Sequence, residues 1–431
     1  MAIIKHTAIG FEREPLISPF GFKGGYVNNI WQIAALIQDD QGREGLGLGV
    51  QSVLWSDSAV FAAFSPSGGN SIMMLMAEYA LKLLQGQELR QPIELIQWLL
   101  PQVYEYGVYI TGIADMSTTF ALNALVPVDM ALWKLYCAQT DINSFDDLIP
   151  ETAKTALCER QEKLASIPLI AYGLDTEQIS QLADNGLFFM KIKIGSDPDK
   201  DNDPEKMLKW DMDRLSQIHD IFRHRFTPYT ADGKIPYYLD ANGRYDSKDR
   251  LMRLINHADK IGALDQIALL EEPFPESNEY DVSDIPLRLA ADESAHSVED
   301  CKRLIDMGYT GFALKPIAKT LSMSFLMLNL IHEAGLPCFC ADLTVNPLMA
   351  DWNKNVAARL TPLPGMKIGA IEVNGHQNYT NWNQMTANHP MGDASWIREK
   401  NGVYELDSEF YRHSGGIFRQ APHYREIATT K

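Results

Sequence analysis

The segment IPYYLDANGRY at residues 235–245 decides the fold, because it is a short apolar run that ends on an acidic residue, Asp240. Similar apolar runs ending on charged residues recur in FFMKIKIG at 188–195 and ALLEEPF at 268–274. Other apolar runs of strand length lie at 168–172, 287–290, 311–314, 337–340 and 368–373. Helical stretches separate several of them. Eight strands with intervening helices predict a parallel (β/α)-barrel.

A doubly wound open sheet is the alternative for this pattern. Such a sheet normally carries a glycine-rich phosphate loop after its first strand. Here the first candidate strand ends in Tyr172-Gly173-Leu174-Asp175, and no such loop follows. The barrel is therefore favoured. The first 150 residues have a different pattern, with strand-like runs and a long helical stretch at 71–85, which predicts a separate α+β domain.

The composition excludes several classes of function. A formal net charge of −18 argues against a nucleic-acid partner, because phosphate backbones are held by clustered Lys and Arg. The five cysteines are an odd count without paired spacing, which favours a reducing compartment. The N-terminus lacks the apolar core of a signal peptide, and no apolar stretch reaches the roughly 18 residues of a membrane span. We expect a cytoplasmic protein.

Charged and amide residues stand at the carboxyl ends of successive predicted strands. They are Lys191, Lys193, Asp240, Asn242, Glu271, Glu272, Asp292, Glu293 and Lys315. In a (β/α)-barrel these ends form one face, so the side chains converge on one cavity. A single carboxylate in such a place is usually a cap or an ion-pair partner. Three on consecutive strands, Asp240, Glu271 and Asp292, supply the oxygen ligands that Mg²⁺ prefers and predict a metal site.

Lysines on both sides of a metal suit the removal of a proton beside a carboxylate. That proton is weakly acidic, and its loss puts a second negative charge on the carboxylate, which a divalent ion stabilises. A lysine near another cation has a lowered pKa and can act as the base. Lys191 and Lys193 point to the same side of their strand, so one can hold the substrate carboxylate or depress the other's pKa. Lys315 would face the substrate from the opposite side.

These residues resemble those of the enolase superfamily, in the branch of mandelate racemase and muconate-lactonizing enzymes. The matching motifs are FFMKIKIG, YYLDANGRY, ALLEEPF, LAADES and FALKP, with VPVDMALWKLYC at 126–137 ahead of the barrel. The resemblance implies an α/β fold, a modified (β/α)₇β TIM-like barrel over residues 151–387. It also implies an α+β N-terminal capping domain over residues 1–150, joined by the C-terminal tail from about 388 to 431.

The resemblance also assigns roles by position. It implies Asp240, Glu271 and Asp292 as Mg²⁺ ligands, Lys193 as a catalytic base with Lys191 beside it, and Lys315 as the opposed acid/base. A His on the seventh strand marks mandelate-racemase-like members, but PCFCADLTVNP at 337–347 has none. The pattern is thus of the two-lysine type. A homo-oligomer is the default expectation.

The leading interpretation is a racemase or epimerase of a small carboxylic acid, because two opposed lysines allow inversion. The alternative is a lyase of the same superfamily, such as an acid-sugar dehydratase or an o-succinylbenzoate synthase or cycloisomerase-like enzyme. A non-catalytic metal-binding barrel is a third reading, disfavoured because both lysines accompany all three ligands. Four further residues are candidate substrate or supporting groups: Asn242, Glu293, Asp342 and Glu372.

Two segments of the N-terminal region occupy the places of the family's mobile specificity loops. They are PFGFKGG at 19–25 and the stretch 55–70. Their aromatic residues, Phe20, Phe22, Trp55 and Phe64, suggest a partly apolar lid over the barrel mouth. Lys23 is a candidate partner for a substrate anion, with a solvated side chain as its simpler reading. We expect structural roles for His296, His376 and His389.

Overall fold

The computed structural model describes residues 2–22 and 25–430. Its N-terminal part is an antiparallel sheet of three strands, β1 (Ile4–Phe22), β2 (Gly25–Asp39) and β3 (Glu44–Gln51), in that order. Four helices follow in the chain: α1 (Val53–Ser56), α2 (Ser58–Leu84), α3 (Pro92–Thr111) and α4 (Thr118–Thr140). We call this sheet and its helices the cap.

The glycines of β3 bring helix α4 against the sheet. A Cβ atom added at Gly45 would lie 2.0 Å from the carbonyl oxygen of Ala131, and one at Gly47 would lie 2.0 Å from that of Pro127. Such distances are far inside van der Waals contact, so only glycine permits this approach. The glycine-rich sequence is therefore a packing surface.

Two segments of the cap depart from local sequence rules. Pro127 lies inside helix α4, which begins at Thr118, where Ser117 caps it by accepting a hydrogen bond from the Thr119 amide. Burial of 17 of the 23 residues of α4 outweighs the loss of one backbone hydrogen bond at the proline. The stretch 55–70, which has no clean period, is largely helical and breaks at Ser65, where φ is 65°.

The barrel is closed by eight parallel strands. Its first strand is interrupted by Pro168, which has no amide hydrogen to donate. The part before it, β4 (Lys163–Ile167), pairs with the last strand, and the part after it, β5 (Leu169–Ile170), pairs with the second. The other seven, in order, are β6 (Met190–Lys193), β7 (Tyr237–Asp240), β8 (Ile267–Glu271), β9 (Leu289–Ala291), β10 (Gly311–Leu314), β11 (Cys338–Cys340) and β12 (Gly369–Glu372).

Helices cover the outside of the barrel. After the short α5 (Phe145–Leu148) come α6 (Thr176–Asp184), α7 (Pro204–Phe222), α8 (Lys248–Ile261), α9 (Val298–Asp306), α10 (Pro316–Lys319), α11 (Leu321–Glu333) and α12 (Pro347–Ala357). The crossover between β8 and β9, residues 272–288, contains no helix. With that variation, the predicted fold class of a TIM-like barrel with an α+β cap is confirmed.

The C-terminal segment contacts both parts of the molecule. It contains α13 (Gly375–Asn378), α14 (Trp382–Ala387), β13 (Val403–Glu405), α15 (Ser408–His413) and α16 (Pro422–Thr429). Strand β13 pairs antiparallel with β4, whereas α16 packs on β1 and β2. The domain boundaries near residues 150 and 388 stay predictions.

Asp129 joins the cap to the barrel. It lies in the motif VPVDMALWKLYC on α4, and its Oδ2 atom accepts hydrogen bonds from the amides of Leu321 (2.7 Å) and Ser322 (3.2 Å) at the start of α11. Trp133, one turn later, donates from its indole nitrogen to Ser322 Oγ at 3.0 Å.

Across residues 2–22 and 25–430, the helices are all too short or too polar to cross a membrane.

Candidate active site

The predicted site residues meet at the carboxyl ends of the barrel strands. A cavity of about 50 Å³ is lined there by Lys191, Lys193, Asp240, Asn242, Lys315, Asp342 and Glu372. Cap residues Phe20, Ile30, Ser52 and Trp55 line the same cavity. The barrel thus supplies the charged groups, and the cap supplies a mainly apolar roof.

Lys191 lies at the centre of three carboxylates. Its Nζ atom is 3.0 Å from Asp240 Oδ2, from Glu271 Oε2 and from Glu372 Oε2. Burial by itself would lower the pKa of Lys191, but the three negative charges outweigh it and raise that pKa well above its ordinary value. In this arrangement Lys191 is a fixed cation rather than a proton acceptor.

Lys193, two residues along the same strand, has different partners. Its Nζ atom is 2.6 Å from Asp240 Oδ2 and 2.5 Å from Asn242 Oδ1. Asn242 in turn donates to Glu293 Oε1 at 3.0 Å. Lys193 is therefore linked by hydrogen bonds through Asn242 to Glu293, at the end of the fifth strand. Asn242 and Glu293 are two of the predicted supporting residues.

Lys315 enters from the other side of the barrel. Its ammonium group hydrogen-bonds to Asp292 Oδ2 and lies 4.5 Å from the centre of the Trp55 ring. Burial works against a charged lysine, but the Asp292 and Glu271 charges raise the pKa of Lys315 above its ordinary value. Burial likewise raises the pKa of Asp292, and the Lys315 and Lys319 charges reverse this and lower it overall.

Lys319 was missed by the sequence analysis. It is fully buried, and its Nζ atom donates to the carbonyl oxygens of Asp292 (2.8 Å) and Ala295 (3.2 Å). It also lies 3.3 Å from Asp292 Oδ1. Its position one helical turn after Lys315 is the signal that could have found it, because residues four apart share a helix face.

Glu372 and Asp342 form a network that supports Lys191. Glu372 Oε2 accepts from Lys191 and from the Asp342 amide (3.1 Å), and its Oε1 accepts from the Asn374 side chain at 3.2 Å. Asp342 accepts from the Asn374 amide at 2.8 Å. Burial, reinforced by the Glu372 charge, raises the pKa of Asp342 to about 7.

The three predicted metal ligands lie side by side at the carboxyl ends of β7, β8 and β9, where Asp292 directly follows β9. Among residues 2–22 and 25–430, no three acidic, histidine or cysteine side chains have the geometry of a formed metal site. Lysine ammonium groups hold the Asp240 and Asp292 oxygens instead.

The chemistry of these residues fits a divalent cation. Glu271 Oε1 is buried and has no donor within the described part of the chain, while Tyr238 donates to Oε2. Burial and the Asp240 charge raise the pKa of Glu271 well above its ordinary value. Around the barrel mouth, seven buried carboxyl groups face four buried lysines: Asp240, Glu271, Glu272, Asp292, Glu293, Asp342 and Glu372 against Lys191, Lys193, Lys315 and Lys319. Such an excess of buried acid calls for protons or a cation.

The remaining candidates lie elsewhere. Phe64 packs against the apolar core of the cap, and His296 lies between Glu276 and Asp300. His376 packs on Trp382, and His389 Nε2 is 3.2 Å from Asp351. Lys23 and the side chain of Phe22 lie outside the described residues.

Comparison with known proteins identifies the barrel. Residues 175–358 match the family model described as Enolase C-terminal domain-like. The matched residues lie in the barrel and make up less than half of the chain. The match confirms the resemblance to the enolase superfamily and, at that level, the prediction of an enzyme. No curated protein sequence matches the chain.

Solved structures share this fold along almost the whole chain. A mandelate racemase/muconate lactonizing protein from Herpetosiphon aurantiacus is 17% identical, with a TM-score of 0.67 over 94% of this chain and 96% of that one. A dipeptide epimerase from Enterococcus faecalis V583, complexed with Mg and L-Leu-L-Tyr, is 15% identical, with a TM-score of 0.61 over 88% and 92%. The L-Ala-D/L-Glu epimerase from Bacillus subtilis is 14% identical, with a TM-score of 0.63 over 88% and 92%.

Proposed function

We propose that this protein uses Mg²⁺ and two lysines to move the proton on the carbon beside a substrate carboxylate, as a racemase or epimerase of a small carboxylic acid. The observation that carries the proposal is the placement of Lys193 and Lys315. They end the second and sixth strands of a closed eight-stranded barrel, and they line one cavity. Strands four apart lie on opposite sides of such a barrel.

This placement lets two proton carriers act on opposite faces of one carbon. One lysine takes the proton from the substrate carbon, and the other returns a proton to the opposite face, which inverts the centre. Lys191 stays charged because three carboxylates surround it, so it is suited to attracting and orienting the substrate carboxylate. Glu372 positions Lys191 for that role through its 3.0 Å contact.

Asp240, Glu271 and Asp292 are the residues that would hold the metal. When bound, Mg²⁺ would supply positive charge that stabilises the deprotonated acid. Relatives with this fold, such as the Enterococcus faecalis dipeptide epimerase, carry Mg in their complexes.

Hydrogen–deuterium exchange of each substrate stereoisomer tests the proposal. The full chain would be incubated with Mg²⁺ in D₂O and both stereoisomers of N-acylamino acids, dipeptides and sugar acids, then followed by NMR. We expect Lys193→Ala to abolish exchange from one stereoisomer and Lys315→Ala from the other. Each loss should be roughly a thousandfold, the range for removal of a general base.

The control is Lys209→Ala, because Lys209 lies on the exposed surface of α7, where it pairs with Asp213. This variant should exchange both stereoisomers at the wild-type rate. If both lysine variants keep both exchanges, the two-base proposal is wrong. Loss of water from a substrate, seen as a new unsaturated or keto product, would move the assignment to a lyase.

A further inference from the structure

Almost every arginine of this protein has a partner for its guanidinium group. The chain holds 56 acidic residues against 38 Lys and Arg, so an exposed guanidinium group readily meets a carboxylate. Within residues 2–22 and 25–430, only Arg90, Arg398 and Arg419 have guanidinium groups without an ion pair, a hydrogen bond or a ring contact. Two of these three lie together.

Arg398 and Arg419 line one cleft in the C-terminal segment. The cleft measures about 530 Å³, and small-molecule sites typically measure roughly 300–1,000 Å³. Its walls come from α14, from the segment 389–398 and from the turn that contains Arg419. None of its described lining residues belongs to the barrel cavity, so this cleft is separate from the candidate active site.

The wall that carries Arg398 is anchored on the barrel. Asp351, buried on α12, lies 3.2 Å from His389 Nε2 and accepts a hydrogen bond from the Trp396 indole at 3.0 Å. Lys354, also on α12, donates to the Trp396 carbonyl at 2.8 Å. Arg398 follows Trp396 by two residues, so buried hydrogen bonds and ion pairs hold its backbone in place.

The opposite wall is fixed as well. The amide of Arg419 donates to the Gly416 carbonyl at 3.0 Å, and its carbonyl oxygen accepts from Lys134 Nζ, on α4, at 3.4 Å. Between the walls, Gly392 packs so closely on α14 that an added Cβ atom would lie 2.2 Å from the Thr386 carbonyl oxygen. The backbone of the cleft is therefore set in advance, and only the exposed guanidinium groups need to turn toward a ligand.

The lining of the cleft is positively charged and partly apolar. Asp393 is the one acidic side chain among the described lining residues, against the two arginines. His389 adds no charge, because its Nδ1 atom accepts a hydrogen bond from the Met391 amide at 2.9 Å. Asn383 offers an amide donor, and Pro390 and Met391 offer apolar surface. This combination suits an anion that carries a carbon skeleton.

We propose that this cleft binds the phosphate group of a small molecule, with Arg398 and Arg419 on the phosphate oxygens. A guanidinium group presents a fork of N–H donors that matches two phosphate oxygens. A phosphate monoester carries between one and two negative charges at pH 7 and has three oxygens to share between two arginines. A carboxylate carries one charge and two oxygens, so it fits this pair less well.

Calorimetry on the full chain with Mg²⁺ tests the inference. The probes are glycerol 3-phosphate, inorganic phosphate and acetate, at one ionic strength set with NaCl, because salt screens exposed charges. We expect both phosphates to bind, and acetate to bind at least about tenfold more weakly. Arg398→Ala and Arg419→Ala should each weaken glycerol 3-phosphate by at least about tenfold, since each removes a charge-assisted pair of hydrogen bonds.

The matched control is Arg90→Ala, which removes the third arginine without a partner. Arg90 is exposed and lies outside the cleft, so this variant should bind glycerol 3-phosphate as the wild type does. Asp393→Asn should bind it about threefold more tightly, because a repelling carboxylate is lost. All four substituted side chains are exposed, and urea unfolding of each variant checks that the fold is kept.

Three outcomes would overturn the inference. The first is wild-type affinity for glycerol 3-phosphate in both cleft variants, or an equal loss in Arg90→Ala. The second is acetate binding as tight as that of glycerol 3-phosphate, which would make the cleft a carboxylate site. The third is binding that Lys193→Ala abolishes and both cleft variants keep, which would place the phosphate in the barrel cavity.

Discussion

Asp292 illustrates how a single predicted ligand depends on residues around it. It hydrogen-bonds to Lys315, and Lys319 contacts both its side chain and its carbonyl oxygen. Lys319 also donates to the Ala295 carbonyl, so it fixes the turn that follows β9. The position of Asp292 is therefore set by a lysine that itself does not line the cavity.

Replacement of Lys319 should cost stability. In Lys319→Met the side chain keeps its approximate volume but loses its charge and its three contacts, all of them fully buried. We expect the free energy of unfolding to fall by about 3 kcal/mol, the usual cost of breaking a buried ion pair on one side. Urea unfolding measures this value.

The matched control is Lys209→Met, whose ammonium group pairs with Asp213 on the exposed surface of α7. No measurable change is expected there, because exposed ion pairs contribute little. If both variants unfold at the wild-type urea concentration, Lys319 does not hold the turn after β9.

At this scale the sequence predicts residues that stand at strand ends and little else. Lys193, Asp240, Glu271 and Lys315 follow apolar runs directly, so the barrel rule alone brings them together. Tyr238 was missed because it lies within a strand, where a tyrosine is usually core packing, yet its hydroxyl donates to Glu271. Partnerships of this kind depend on contacts between strands, which no local pattern contains.

Among the elements, the contact of α4 with α11 determines how the cap sits over the barrel mouth. Asp129 on α4 accepts hydrogen bonds from the first amides of α11, where a helix N-terminus favours negative charge. Even so, complete burial raises the pKa of Asp129 to about 6. The folded protein therefore holds a proton on Asp129 more tightly than the unfolded chain does.

This raised pKa makes a pH-dependent contribution to stability. The contribution is fully present below the unfolded pKa of about 4, and it is lost as pH rises through the folded pKa. Compared with Asp129→Asn, which does not titrate, the wild type should lose up to about 3 kcal/mol between pH 4 and pH 7. Urea unfolding of both proteins at pH 4 and at pH 7 gives four free energies of unfolding. The change between the two pH values in the wild type, minus the same change in Asp129→Asn, is the quantity predicted here. A difference that stays constant with pH would show that Asp129 titrates alike in the folded and unfolded states.

The order of elements was predictable, but several details were not. The apolar runs predicted the positions of the barrel strands, because each run is short and bounded by polar residues. The loop at 272–288 was not recognised as helix-free, since the barrel rule expects a helix in every crossover. The interior position of Pro127 in α4 depends on close packing against Gly47 and Gly49, which is a contact between distant parts of the chain.

For the molecule as a whole, the net charge of −18 and the excess of buried acid at the barrel mouth both destabilise the folded state through repulsion between negative charges. General self-repulsion makes any salt stabilising, because ions screen it. A specific Mg²⁺ site would add a second effect, which depends on the binding constant rather than on ionic strength. The two effects can be separated by experiment.

Mg²⁺ should therefore raise the melting temperature beyond what matched NaCl achieves. At a concentration about one hundred times the dissociation constant, binding adds about 2.7 kcal/mol and should raise the melting temperature by about 3 °C in a chain of this size. EDTA should reverse the rise. Asp292→Asn should abolish it, because one of the three carboxylates loses its charge.

The control for charge alone is Glu78→Gln, which removes one carboxylate from the exposed surface of α2, where it pairs with Lys82. In this variant Mg²⁺ should raise the melting temperature as much as in the wild type, and only the effect of NaCl on the melting temperature should change. If Asp292→Asn responds to Mg²⁺ as the wild type does, the ion binds elsewhere or acts by screening. In that case the assignment of Asp240, Glu271 and Asp292 as its ligands is wrong. These three side chains are buried, so screening of surface charge by the ion would not involve them.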